Sequence, residues 1–371
     1  MKNLTALLML FLLGTSVVQS QGSIYGFENT KENPTTKSEA LKRPGSCWSN
    51  AGTALLEAEW LRTGKKELDI AELDFVRNAY LYKGDMYVKG DTGLRVDEKG
   101  IPFDVITYLE TYGMAPEEAF MTTSDKPMDA TSGEMDAILR GTLRMVQLKE
   151  GGNFTDRWKS TYNAALTRHI GDVKLEFTYD GVKYTPKTFA EKSGLKAADY
   201  VMLTSDSRGE MNRKMSLEVR NNWNKDEFHN VSLDNLTGAL KNAVNNGYSV
   251  VWCGTLDNEL IYAAESVALV PATQMPGEGD TEMTEPAPET SVSETMRQEK
   301  FEATFAGKLS YLLVYGMSKD KTGNEYFKAK YVCESGDKHL NLSKEYVKLS
   351  TIYLMLNKNG MPDNLRGQLN L

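Results

Sequence analysis

The run Arg43-Pro-Gly-Ser-Cys-Trp-Ser-Asn-Ala-Gly52 sets a cysteine and a tryptophan at the start of an expected helix. Free N–H groups in the first turn of a helix favour a thiolate, and a thiolate is a nucleophile. The chemistry that Cys47 suggests is attack on an acyl carbonyl. That reaction needs a base for the thiol proton and donors for the oxyanion. Unassisted, with a pKa of about 8.5, only a few per cent of Cys47 would be thiolate at neutral pH. The chain has three histidines, His169, His229 and His339, and each reads as a surface or internally satisfied residue. No Cys or His spacing suits zinc, and no glycine loop suits a phosphate or dinucleotide, so no metal or cofactor is expected.

The elements around Cys47 follow from periodicity. Ala51, Leu55, Ala58 and Leu61 fall at helical spacing, with Gly64 as the stop. "PFDVITYLETYG" reads as a second helix ended by Gly113, and residues 134–170 as mainly helical. "EFTYDGVKYTP" is a short hairpin turning at Asp180-Gly181. "LDNLTGALKNAVNNG" is a helix, and "YSVVWCG" a buried strand. "KLSYLLVYGMS" and "NEYFKAKYVCE" form a late hairpin across "KDKTG". Helices come first and strands last, an α+β order.

The 371 residues, 40% hydrophobic, allow a substantial core. Lys2, the apolar run Leu4–Val18 and the small residues Val18 and Ser20 predict a signal peptide over 1–21, and hence a secreted or periplasmic protein. No later apolar run predicts a membrane span, and a net charge of −8 argues against a nucleic-acid partner. Residues 22–40 read as an extended arm. Residues 271–296, with four prolines and unbalanced acids, read as a flexible acidic loop. Three cysteines allow one bridge in any pairing; Cys253 and Cys333 read as free core thiols. Asn153, Asn230, Asn235 and Asn341 sit in N-x-S/T patterns, which matter only in a glycosylating pathway.

Nearly the whole mature chain resembles bleomycin hydrolase and the bacterial aminopeptidases C, a branch of the papain-like cysteine peptidases. The resemblance is carried by "GSCWSNAGTALLEAEWLR", "LDIAELDFVRNAYLYK", "YGMAPEEAF", "FTYDGVKYTPKTFAEKSGL", "NGYSVVW" and "KDKTGNEYF". It implies a papain-like domain over 22–371: a helical half (41–124) with Cys47, an insertion (125–215), and a mainly β-rich half (216–371). It also implies a nucleophilic cysteine, a histidine base, an asparagine that orients it and an oxyanion glutamine.

Cys47 takes the nucleophile position in this resemblance. The glutamine position, six residues earlier, is Leu41, which has no donor. Anchoring on Gly316 and "KDKTGNEYF" puts Ser310 at the histidine position and Tyr331 at the asparagine position. A hairpin turning around Asp320 and Lys321 would set Ser310 opposite Tyr331. The family's substrate-binding glycine pair reads Lys99-Gly100, and a segment expected near the cleft reads "SRGEMN" after Asp206. The expectation is a catalytically impaired relative that binds a peptide or protein partner. The alternatives are an active aminopeptidase working through Cys47 and a structural homo-oligomer subunit, because better-known relatives form hexameric rings.

Overall fold

A computed structural model describes residues 23–122, 132–148, 155–273, 284–304, 307–336 and 338–371. The leader read at 1–21, Asn153 and residues 274–283 of the acidic stretch lie outside the described residues.

In chain order, β1 (Glu28–Glu32) is followed by α1 (Cys47–Arg62), α2 (Glu72–Val88) and α3 (Asp104–Tyr112). The short pair β2 (Phe120–Met121) and β3 (Asp172–Val173) brackets α4 (Ser132–Gln147) and α5 (Arg157–His169). The hairpin β4 (Phe177–Tyr179) and β5 (Val182–Tyr184) leads to α6 (Pro186–Ser193) and to β6 (Tyr200–Thr204), β7 (Arg213–Ser216) and β8 (Glu227–Asn230). Next come α7 (Leu233–Asn245), β9 (Val250–Gly254), β10 (Ile261–Tyr262) and β11 (Val267–Ala268). After α8 (Glu294–Thr304) lie β12 (Ser310–Lys319), β13 (Glu325–Tyr331) and β14 (His339–Ser343). The chain closes with α9 (Lys344–Ser350), β15 (Thr351–Asn357) and α10 (Asp363–Leu369).

Among the described residues, one sheet of eleven strands runs β10-β11-β14-β13-β12-β9-β15-β6-β8-β7, with β1 added against β12. The expected extended arm thus supplies an edge of the sheet. Strand alternation divides the interior. On β9, Val251 and Cys253 face a core shared with α1, α2 and α3, while Val250 and Trp252 face a second core under α7 and α9. Both faces are covered, which is why "VVWCG" reads as an unbroken apolar run. The architecture is α+β. Among the described residues no helix is long and apolar enough to cross a membrane.

Three expectations need correction. The late hairpin does not pair Ser310 with Tyr331: Tyr331 lies opposite Leu312, and Lys319 opposite Glu325. The ladder shifts by one residue between Val314 and Gly316, and the turn centres on Thr322 rather than between Asp320 and Lys321. Residues 200–204 and 213–215, assigned to the insertion, belong to strands of the main sheet. The acidic stretch is not a free loop along its described part. Pro271 bridges to Glu289, Val292 is buried, and Glu289 accepts hydrogen bonds from Val270 N and Ser343 Oγ.

Helix α1 is buried on nearly every side, and this governs which residues it tolerates. A Cβ at Gly52 would lie 2.4 Å from Val105 Cγ2, so glycine sets the approach of α1 to α3. Glu57, on the same helix, is buried and accepts hydrogen bonds from Ile70 N (2.8 Å) and Thr36 Oγ1 (2.5 Å). Burial pushes its carboxyl up to about 8, with the Glu72 and Asp69 carboxylates adding to the rise. A raised folded-state pKa gives stability that is complete below the unfolded value and lost as pH climbs through the folded one. Stability should therefore fall between pH 5 and about 8. Glu57→Gln should flatten that fall by about 1 kcal/mol per pH unit in denaturant titrations, and an unchanged slope would refute the assignment.

Candidate functional site

Cys47 is the first residue of α1, held there by a turn that only glycine enters easily. Gly45 has φ +84°, and a Cβ on it would stand 3.0 Å from Glu98 Oε1. Ser46, the N-cap, turns its hydroxyl back to donate to the Arg43 carbonyl at 2.7 Å. The N–H groups of the first turn therefore have no side-chain cap, and no acidic residue occupies that turn.

Trp48, next along the helix, anchors the 98–100 loop. Its indole N–H donates to the Glu98 carbonyl at 2.8 Å, and a Cβ on Gly100 would meet the ring at 3.0 Å. Buried Lys83 reaches beneath the same loop, donating to the Asp97 and Lys99 carbonyls. Asp104 accepts from Ile101 N at 2.8 Å and from the Trp223 indole at 3.2 Å, and burial raises its carboxyl to about 7. The Lys99-Gly100 loop is thus fixed from below.

A cleft of about 530 Å³ opens between α1 and the sheet. Leu41, Cys47, Ser310 and Tyr331 all line it, so the structure gathers every candidate residue named from the sequence into one site. Lys99 and Gly100 line it too, whereas the 207–212 segment does not. Arg220, Asn221, Leu256 and Lys308 are lining residues that sequence reasoning missed. Asn221 has φ +75°, a backbone state that asparagine tolerates better than most residues. None of the three histidines lines the cleft: His169 ends α5, His229 lies on β8 and His339 opens β14.

The free-thiol expectation for Cys333 is overturned. Cys47 and Cys333 form a disulfide, with Cα atoms 5.5 Å apart across 286 residues of chain. The Cys333 sulfur also lies 3.7 Å from the Cys47 carbonyl oxygen. The corrected hairpin register sets Tyr331 opposite Leu312, and Ser310 pairs instead with Gly254 of β9. Cys333, two residues past the end of β13, lines the same cleft as Cys47 and Ser310. Cys253 is the free thiol among the described residues, wholly buried, and burial pushes its pKa up.

One acidic group lies nearby, where Glu39, Asp69 and Glu72 bring ligand atoms within 4.8 Å of one another. The Lys42 ammonium already supplies a cation there, 3.1 Å from Glu39, 3.1 Å from Glu72 and 2.8 Å from Glu117.

Closing a loop of 286 residues removes unfolded-chain entropy worth about 6 kcal/mol on the chain-entropy account. Reduction, or Cys333→Ser, should lower the melting temperature by about 8 °C in a thermal scan. A melting temperature indifferent to both would mean that the bond does not form in the folded protein.

The sequence matches no protein-family model and no curated protein. Solved structures do match. PepW from Lactobacillus rhamnosis is 14% identical with a TM-score of 0.62, the match covering 92% of this chain and 84% of that one. Xylellain, a cysteine protease from Xylella fastidiosa, is 14% identical with a TM-score of 0.42, over 88% and 85% of the two chains. With Cys47 at the head of α1 and the sheet across the cleft, the chain has the α+β fold of the papain-like cysteine peptidases.

Proposed function

We propose that this chain is a papain-like protein that holds an extended peptide or protein segment in its cleft without hydrolysing it. One observation carries the reading: the sulfur in the nucleophile position is bonded to Cys333, and no histidine lines the cleft. Reduction alone would free Cys47 but supply no base. Ser310, at the position the resemblance gives to the histidine, has a hydroxyl with no useful basicity near neutral pH. It can neither take the thiol proton nor return one to a leaving amine. Leu41 offers no oxyanion donor.

The cleft retains what binding needs. Its walls combine apolar surface from Leu41, Trp48, Leu256 and Leu309 with the cations Lys99, Arg220 and Lys308. The bonded cysteine pair suits an oxidising compartment, which supports export and removal of the 1–21 leader.

The test pairs hydrolysis with binding. Fluorogenic aminoacyl and peptidyl substrates should give no turnover above that of Cys47→Ala, with or without reductant. A peptide library should contain members that saturably change the protein's tryptophan fluorescence, to which Trp48 at the cleft contributes. Turnover that appears on reduction and vanishes in Cys47→Ala would overturn the reading in favour of an active aminopeptidase.

A further inference from the structure

We propose that the Cys47–Cys333 pair is an exchange-active disulfide that oxidises cysteine-bearing peptides seated in the cleft; the proposal rests on the peptide-binding reading above. Most disulfides that serve stability alone keep both sulfurs out of reach of an attacking thiolate. Here both cysteines are half-buried and both line the cleft of about 530 Å³, while the third cysteine is wholly buried. A peptide lying along the cleft passes directly over the bond.

The two sulfurs are not equivalent. Cys47 opens a helix of 16 residues whose first turn has no side-chain cap and no acidic residue. A thiolate at Cys47 therefore receives the free N–H groups and the positive end of the helix dipole. Lys99, Arg220 and Lys308 line the cleft that both sulfurs share, so the helix end is what distinguishes Cys47. Cys333 follows the end of β13 in irregular chain with no helix end behind it, and its neighbour Glu334 is paired with Lys338 at 2.8 Å. Exchange is faster when the departing sulfur is the more acidic one, so Cys47 is the leaving group and Cys333 the sulfur attacked. Because Cys333 lies beyond the β12–β13 ladder, opening the bond breaks no strand pairing.

The steps balance. A peptide thiolate attacks Cys333 Sγ, a new S–S bond joins the peptide to Cys333, and the electron pair of the old bond departs on Cys47 Sγ. A second thiolate of the same peptide attacks the peptide-side sulfur of that mixed disulfide. The peptide disulfide closes and the electron pair leaves on Cys333 Sγ. Two electrons pass from the peptide dithiol to the protein, and the two protons shed by the peptide thiols are matched by two taken up on Cys47 and Cys333. A low-molecular-weight disulfide restores the bond and is itself reduced to two thiols.

The test uses the full mature chain, purified without reductant. It is mixed with a peptide selected by the change in tryptophan fluorescence and resynthesised with one central cysteine, with the serine analogue of that peptide, or with reduced glutathione. Reactions are quenched with N-ethylmaleimide and mapped by mass spectrometry. The expected product carries the peptide on Cys333 and maleimide on Cys47. It should form at least about tenfold faster than the glutathione adduct at matched thiolate concentration, because binding raises the local thiol concentration. No adduct on the native protein, with the bond opening only in denaturant, overturns the proposal; an adduct on Cys47 overturns the assigned polarity. If the serine analogue binds while the cysteine peptide does not exchange, exchange fails and peptide binding stands. If the serine analogue does not bind and the cysteine peptide reacts no faster than glutathione, both readings fall.

Discussion

A single covalent bond joins the first residue of α1 to the chain just past β13, and the cleft takes its form from that link. On one side, Cys47 is positioned by the Gly45 turn and by Trp48 wedged under Gly100. On the other, Cys333 is positioned by the hairpin that runs down the middle of the sheet. Each wall belongs to its own packing problem: α1 to the core it shares with α2 and α3, the hairpin to strands buried on both faces. The sulfur bridge makes the two solutions one, and it does so at the position where a peptidase would keep its nucleophile free.

What sets this cleft apart lies in one bond and a few side chains. The frame itself keeps α1 packed against the sheet, the Lys99-Gly100 loop held from below and a cleft between them. A cysteine peptidase needs in addition an imidazole within hydrogen-bond reach of the thiol and a donor for the oxyanion. Ser310 and Leu41 provide neither. In a serine-peptidase triad, loss of the nucleophile or its base alone costs on the order of a millionfold in turnover. The proposed reading, recognition without hydrolysis, rests on that bond and those side chains.

Much of this could be read from sequence because the signals are local. The helix beginning at Cys47, the Asp180-Gly181 hairpin turn and the buried run of β9 each follow from periodicity or from residues that favour a left-handed backbone. What escaped is non-local. The ladder irregularity between Val314 and Gly316 shifts the late hairpin, and nothing in "SYLLVYGMS" announces it, so Tyr331 falls opposite Leu312 and not opposite Ser310. The Cys47–Cys333 bond joins residues 286 apart, and spacing cannot select it among three pairings. Residues 284–296 looked like free acidic chain, yet Glu289 is tied to Val270 and Ser343 by hydrogen bonds that composition does not encode. Glu57 was read past altogether, since a carboxylate inside an amphipathic pattern gives no sign that Thr36 and Ile70 will receive it.

The claim on which the account turns is that Cys47 is bonded in the native protein. Disulfide mapping addresses it most directly: alkylate the folded protein purified without reductant, digest it under non-reducing conditions, and identify the linked fragments by mass. The account predicts one cross-linked pair containing Cys47 and Cys333, with Cys253 alkylated only after denaturation. Alkylation of Cys47 in the folded protein, with Cys333 unlinked, would contradict it and return the cleft to the company of cysteine nucleophiles.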